Sequence, residues 1–144
     1  MDHLAENAAA RQRVLDLVRG LPEDQFRAPI EGGWTIGAEL AHLAFWERSH
    51  LARLRRALAA GETAPAPLPD GLADIVNDAA LPGWREIPGT AALALFDAAA
   101  HEFDEYLASL DDHTIGAIKS GGAPRLVERF RHRAEHADAI ERGR

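Results

Sequence analysis

Apolar residues recur at three- and four-residue spacings in four separate segments of this chain, and nowhere alternate with period two for long enough to make a strand. That pattern predicts an all-α fold, because each amphipathic helix carries one apolar stripe that must be buried against another. The first segment runs from about Asp2 to Arg19, with Leu4, Ala8, Leu15 and Val18 on one face, and Gly20 and Pro22 end it. The second, about Ile36 to Ala60, aligns Ile36, Leu40, Leu43, Leu51, Leu54 and Leu58. Thr35 is its expected N-cap, and Glu39 sits near the positive end of its dipole. Phe45, Ala38, Ala41 and Ala52 fill the other side, so its N-terminal half is expected to be buried all round, with His42 indoors. Thr90 is the expected cap of a third helix to about Leu110, with a seam of Leu93, Phe96, Ala100, Phe103, Leu107 and Leu110. Gly121, Gly122 and Pro124 introduce a fourth, whose stripe is Leu126, Phe130, Ala134, Ala137 and Ile140.

Residues 61–89 are the irregular part, with prolines at 65, 67, 69, 82 and 88 and a short helical stretch expected from about Leu72 to Ala80. Loops this long inside a compact domain are often functional. The expectation is one domain over residues 1–144, a four-helix bundle with a long irregular connection between its second and third helices.

Charge and composition remove several classes of function. The formal charge is −7 and the arginines are scattered along helices, which gives no footprint for nucleic acid. Without cysteine there are no disulfides, thiolate metal sites or cysteine nucleophile. The N-terminal stretch lacks the apolar run of a signal peptide, and no segment approaches the roughly 18 apolar residues of a membrane span. The expectation is a cytoplasmic protein without membrane partners. P-loop, GxSxG and HExxH motifs are all missing.

The histidines are the chemistry that remains. His132 and His136 stand four apart on the fourth helix, about 40° apart around its axis, and can offer two imidazoles to one ion. His42, on a facing helix, would complete a tripod that leaves a position open on a Zn²⁺- or Ni²⁺-like ion. The spacing equally allows a solvated flank in RFRHRAEH and a hydrogen-bonded core role for His42. Glu47 falls among Leu40, Leu43, Leu51 and Leu54, where an unpaired carboxylate is costly, so it needs a histidine, a metal-bound water or an arginine of another helix. His50, two turns beyond His42, either lines the same pocket or packs in the core. His3, His101, His113 and Glu135 read as surface residues, and Trp34 and Trp46 as core or lid aromatics.

The run GGWTIGAELAHLAFWE, Gly32 to Glu47, resembles the second-helix signature of the DinB/YfiT-like superfamily: a Gly-Trp-Ser/Thr entry, then His-Leu followed by an aromatic. HRAEHADAI, His132 to Ile140, is similar to that family's fourth-helix His-x-x-x-His, and Asp74 to Asn77 to its acidic-Asn stretch. The resemblance implies a four-helix bundle in which His42, His132 and His136 bind a divalent metal (Zn, Ni or Fe). Some members are transferases or isomerases that use a low-molecular-weight thiol such as mycothiol or bacillithiol, many have no assigned activity, and dimers are common. It therefore implies a homodimer that transfers a thiol to a small-molecule substrate. For such a mechanism the residues themselves offer Glu47 or His50 to accept the proton and the 61–89 loop to cover the site. A metal-dependent hydrolase on the same site and a non-catalytic, protective binding protein are the alternatives.

Overall fold

A computed structural model describes residues 2–144. Among them the regular structure is helical, apart from one isolated bridge between Pro29 and Thr35. The helices are α1 (His3–Val18), α2 (Glu23–Arg27), α3 (Ile36–Ala59), α4 (Leu72–Glu86), α5 (Gly89–Ala108), α6 (Asp112–Ser120), α7 (Pro124–Val127) and α8 (Phe130–Gly143). α3 packs along α5 and α1 along α8, while contacts of α1 with α5 and of α3 with α8 join the two pairs. No helix among the described residues is long and apolar enough to cross a membrane.

Local chemistry starts most of these helices. Asp2 accepts the Leu4 N–H at 3.0 Å, and Thr35 Oγ1 accepts that of Ala38 at 3.0 Å, as its position predicted. α5 departs from expectation, because it begins at Gly89 rather than behind Thr90. Its first N–H is capped from α2: the Glu23 carboxylate accepts from Gly89 at 3.0 and 3.1 Å. That hydrogen bond and Arg27 hold the Glu23 carboxyl below its ordinary range. Only glycine fits there, since a Cβ on Gly89 would lie 2.1 Å from Phe26 Cγ.

Two other expectations are corrected. The segment between α3 and α5 is less irregular than its prolines suggest, since α4 runs through Pro82 to Glu86 instead of stopping near Ala80. A mid-helix proline costs about 3 kcal/mol. Pro82 faces outward, and Trp84 just beyond it is buried in the core, where an indole of about 150–250 Å² at about 25 cal/mol per Å² offsets that cost. The fourth predicted helix is two, broken between Val127 and Phe130. Asn7 bridges the break: its Nδ2 donates to Val127 O at 2.9 Å and its Oδ1 accepts the Phe130 N–H at 2.8 Å. Asn7 is thus fully buried, whereas Ala8, expected on the inner face, is exposed.

The core consists of two apolar clusters. One gathers Val14, Val18, Ile36, Leu40, Leu43, Trp84, Phe96 and Ile140; the other gathers Leu51, Leu54, Phe103, Leu107, Ile118 and Val127. Where the two clusters meet, each long helix contributes a polar residue: buried Asn7 on α1, Glu47 on α3 and Arg133 on α8 with Arg129 just before it, and half-buried Asp104 on α5. Glu47 and Arg133 are both 0 % exposed. Arg133 donates to both Glu47 oxygens at 2.9 and 3.2 Å and to Asp104 at 3.0 Å, while Arg129 donates to the same two Glu47 oxygens at 3.3 and 3.4 Å. Of the partners open to Glu47 from the sequence, it has the arginines. Burial alone would push its carboxyl up, but the two guanidiniums outweigh that and hold it below its ordinary value.

Candidate metal centre

His42 is presented by the part of α3 that is buried on nearly every face, Ile36 to Ala44, and is itself buried. Two indoles fix its ring. Trp34, from the Gly32–Gly33 turn, and Trp84, from α4, pack edge-on against it with centroids 5.3 and 5.4 Å away. Gly32 and Gly33 have φ of 66° and 80°, so this turn, which delivers Trp34 and then the Thr35 cap, depends on glycine. α8 brings His132 and His136 against the same ring, at centroid distances of 5.3 and 4.4 Å, with 4.7 Å between the two.

The three histidines therefore converge, each offering a nitrogen, with those nitrogens all within 4.8 Å of one another. Nε2 of His42 and Nε2 of His132 are 3.3 Å apart. Two nitrogens bound tetrahedrally at about 2.0–2.1 Å would stand roughly 3.3–3.4 Å apart, so this edge already has the dimension a Zn²⁺-like ion requires. The donor set suits such an ion in protonation as well. Burial, helped by His136, pushes His42 down to about 3, with Asn77 acting in the opposite direction. Burial together with His136 and Arg129 lowers His132 further, so both rings are neutral and have lone pairs to give. Nδ1 of His42 is buried without a hydrogen-bond partner.

A carboxylate backs the third ligand. Glu39, only 6 % exposed, pairs with Nδ1 of His136 through a short contact. A carboxylate there holds the ring proton on Nδ1 and leaves Nε2 free, the arrangement that orients metal-bound imidazoles and raises their basicity. In the sequence Glu39 shows only a role at the helix dipole, because its partner is distant in the chain. Trp84 is hidden for a similar reason, since it lies beyond Pro82 in a segment whose prolines predict irregular structure.

A cavity of about 290 Å³ opens beside the cluster, reached by His42, His132, Trp46, His50, Asn77 and Arg129. Trp46 donates to Asn77 Oδ1 at 2.8 Å, which ties α4 to α3 at its edge. His50 stacks on Trp46 at 5.3 Å, and burial with the nearby charges of Arg129 and Arg53 pushes it down to about 4. Of the two residues expected to accept a proton, His50 lines this cavity, whereas Glu47 lies in the polar layer with both oxygens taken by arginines. His101 and His113 are exposed, as their positions predicted, and His3 is partly buried.

A family model for the DinB superfamily matches residues 6–139, nearly the whole chain. No curated protein and no solved structure matches it.

Proposed function

This chain belongs to the DinB superfamily, and from that premise we propose that it is a metal-dependent enzyme that transfers a small-molecule thiol to an electrophilic acceptor. α1, α3, α5 and α8 make up the family's four-helix bundle in this reading. The observation that carries the proposal is the trio of imidazole nitrogens within 4.8 Å, two of them on neutral rings, at the wall of a cavity. His42, His132 and His136 would hold the ion. Bound there, a divalent metal with only three protein ligands supplies an open position at which a thiol or water loses its proton near neutral pH. The chain's own residues do the rest. Trp34 and Trp84 lock His42 and keep water from it, Glu39 fixes the His136 tautomer, and Trp46 with Asn77 shapes the space for the acceptor. Arg129 joins the site to the buried layer, since it donates to Glu47 and approaches Nδ1 of His132 at 3.5 Å. The same reading makes the protein a cytoplasmic homodimer.

Hydrolysis at the same site is the competing reaction, and cobalt substitution separates the two. In the Co²⁺-loaded protein, added thiols should produce a thiolate-to-cobalt absorption band, and turnover of an electrophilic acceptor should depend on thiol. Turnover that proceeds without thiol, together with no new band, would reject thiol transfer in favour of hydrolysis.

A further inference from the structure

Along α3, His42, Trp46, His50 and Arg53 follow at intervals of four, four and three, and so form one stripe along one side of the helix. Arg125, Arg129 and His132 stand opposite, across the cavity. A second cavity of about 220 Å³ adjoins the first, shares His50, Leu68 and Leu126 with it, and has Arg53 in its wall. Together they make a groove that leads away from the histidine cluster. No aspartate or glutamate lines either part, on a chain whose formal charge is −7.

The three arginines of this groove differ in their partners. Arg129 is held by Glu47, and Arg125 pairs with Glu135 at 2.7 Å. Arg53 has no carboxylate within ion-pair distance among the described residues. Its guanidinium donates to Nδ1 of His50 at 2.9 Å and to the carbonyl of Ala66, which uses two of its five N–H donors. A partly buried cation with donors to spare and no acid in ion-pair contact, Glu62 across a neighbouring cavity being the one carboxylate that shares a wall with it, is the counterpart of an anion. Because Nδ1 of His50 accepts from Arg53, the neutral ring carries its proton on Nε2, where it meets no protein acceptor among the described residues and forms one more donor.

We propose that this groove binds a small molecule bearing a carboxylate, which docks on Arg53 and the Nε2–H of His50 while the rest of the molecule runs past Trp46 to the histidine cluster. The reacting end of that molecule rests on the function proposed above; the carboxylate end does not. His42 and Arg53 are eleven residues apart, roughly 16 Å along the helix, which sets an elongated ligand rather than a compact one. Leu68, Leu126 and the Trp46 indole suit an apolar stem between its ends. His50 acts here by positioning, as a donor to the ligand, and a ring already protonated on Nε2 is not placed to accept a proton from it.

The test titrates the purified protein with octanoate and with octanol, which carry no thiol. Octanoate should bind at least about tenfold more tightly, the value of a charge-assisted pair. Arg53→Gln should erase the difference, and Arg56→Gln, on an exposed neighbour outside both cavities, should leave it intact. Equal binding of acid and alcohol, no binding of either, or a preference that survives Arg53→Gln would each overturn the proposal. ω-Mercaptoalkanoates and ω-mercaptoalkanols on the Co²⁺-loaded protein then keep the two readings apart. If neither ligates the metal while the octanoate preference holds, thiol transfer fails and the carboxylate site stands. If both ligate it equally well, the reverse is true.

Discussion

Replacing Glu47 with alanine removes the acid at the centre of the buried polar layer, and the structure sets what that should cost. Glu47 is 0 % exposed and accepts four N–H···O contacts, two from Arg133 and two from Arg129. Deleting one partner of a buried ion pair typically costs about 3–5 kcal/mol, because the other charge is left behind without compensation. Here two guanidiniums are left behind, but each keeps something: Arg133 retains Asp104 and the carbonyls of Asn7 and Ala100, and Arg129 retains the carbonyl of Arg125. The lower part of the range is therefore expected, about 3 kcal/mol, or about 10 °C in melting temperature for a domain of this size. Urea unfolding at neutral pH measures it. The pH dependence carries a second signature. The folded-state carboxyl is held below 4.5, so the pair's contribution is complete above pH about 4.5 and is lost as pH falls through the depressed value. The gap between wild type and Glu47→Ala should therefore narrow in acid. A loss under about 1 kcal/mol, as for an exposed ion pair, would mean that Glu47 does not hold the two guanidiniums in the core.

Glu39→Gln keeps a hydrogen-bond acceptor for His136 but removes the charge, and should weaken metal binding about 10–100-fold in competition with a chelating dye, with little change in fold. In chelator-treated protein, His50 and His42 resist protonation in the folded state down to about 4 and about 3, against 6.5 for the ordinary ring. The unfolded chain then binds more protons below pH 6.5, so stability should fall as pH drops from there toward 4, by on the order of 3 kcal/mol per ring, and urea midpoints at a series of pH values test it. Asn7→Ala should cost about 2–3 kcal/mol, since it strands Val127 O and the Phe130 N–H at the α7–α8 break; circular dichroism melting gives the value.

What could be read from the sequence is what depends on neighbours in the chain. Thr35 and the apolar pattern behind it place α3 within a residue of its observed end, and the His132–His136 spacing together with a buried His42 anticipates the convergence of the three rings. What escaped depends on partners far away. Glu23 caps a helix that begins 66 residues later, Glu39 meets a ring 97 residues on, and Arg133 lies in the core because Glu47, 86 residues before it, is there to receive it. An arginine read alone belongs at the surface, and only the pairing of α3 with α8 reverses that. α2 and α6 were not anticipated because segments of five and nine residues carry too little periodicity to stand out.

Whether His42, His132 and His136 form one metal site is decided by metal analysis of protein purified without a metal-affinity tag, beside His42→Ala and His132→Ala variants confirmed as folded. A shared site requires near-stoichiometric Zn, Ni or Fe in the wild type, or uptake of such an ion on soaking, and its loss in both variants. A wild type that takes up no metal, or variants that retain it in full, would overturn the assignment.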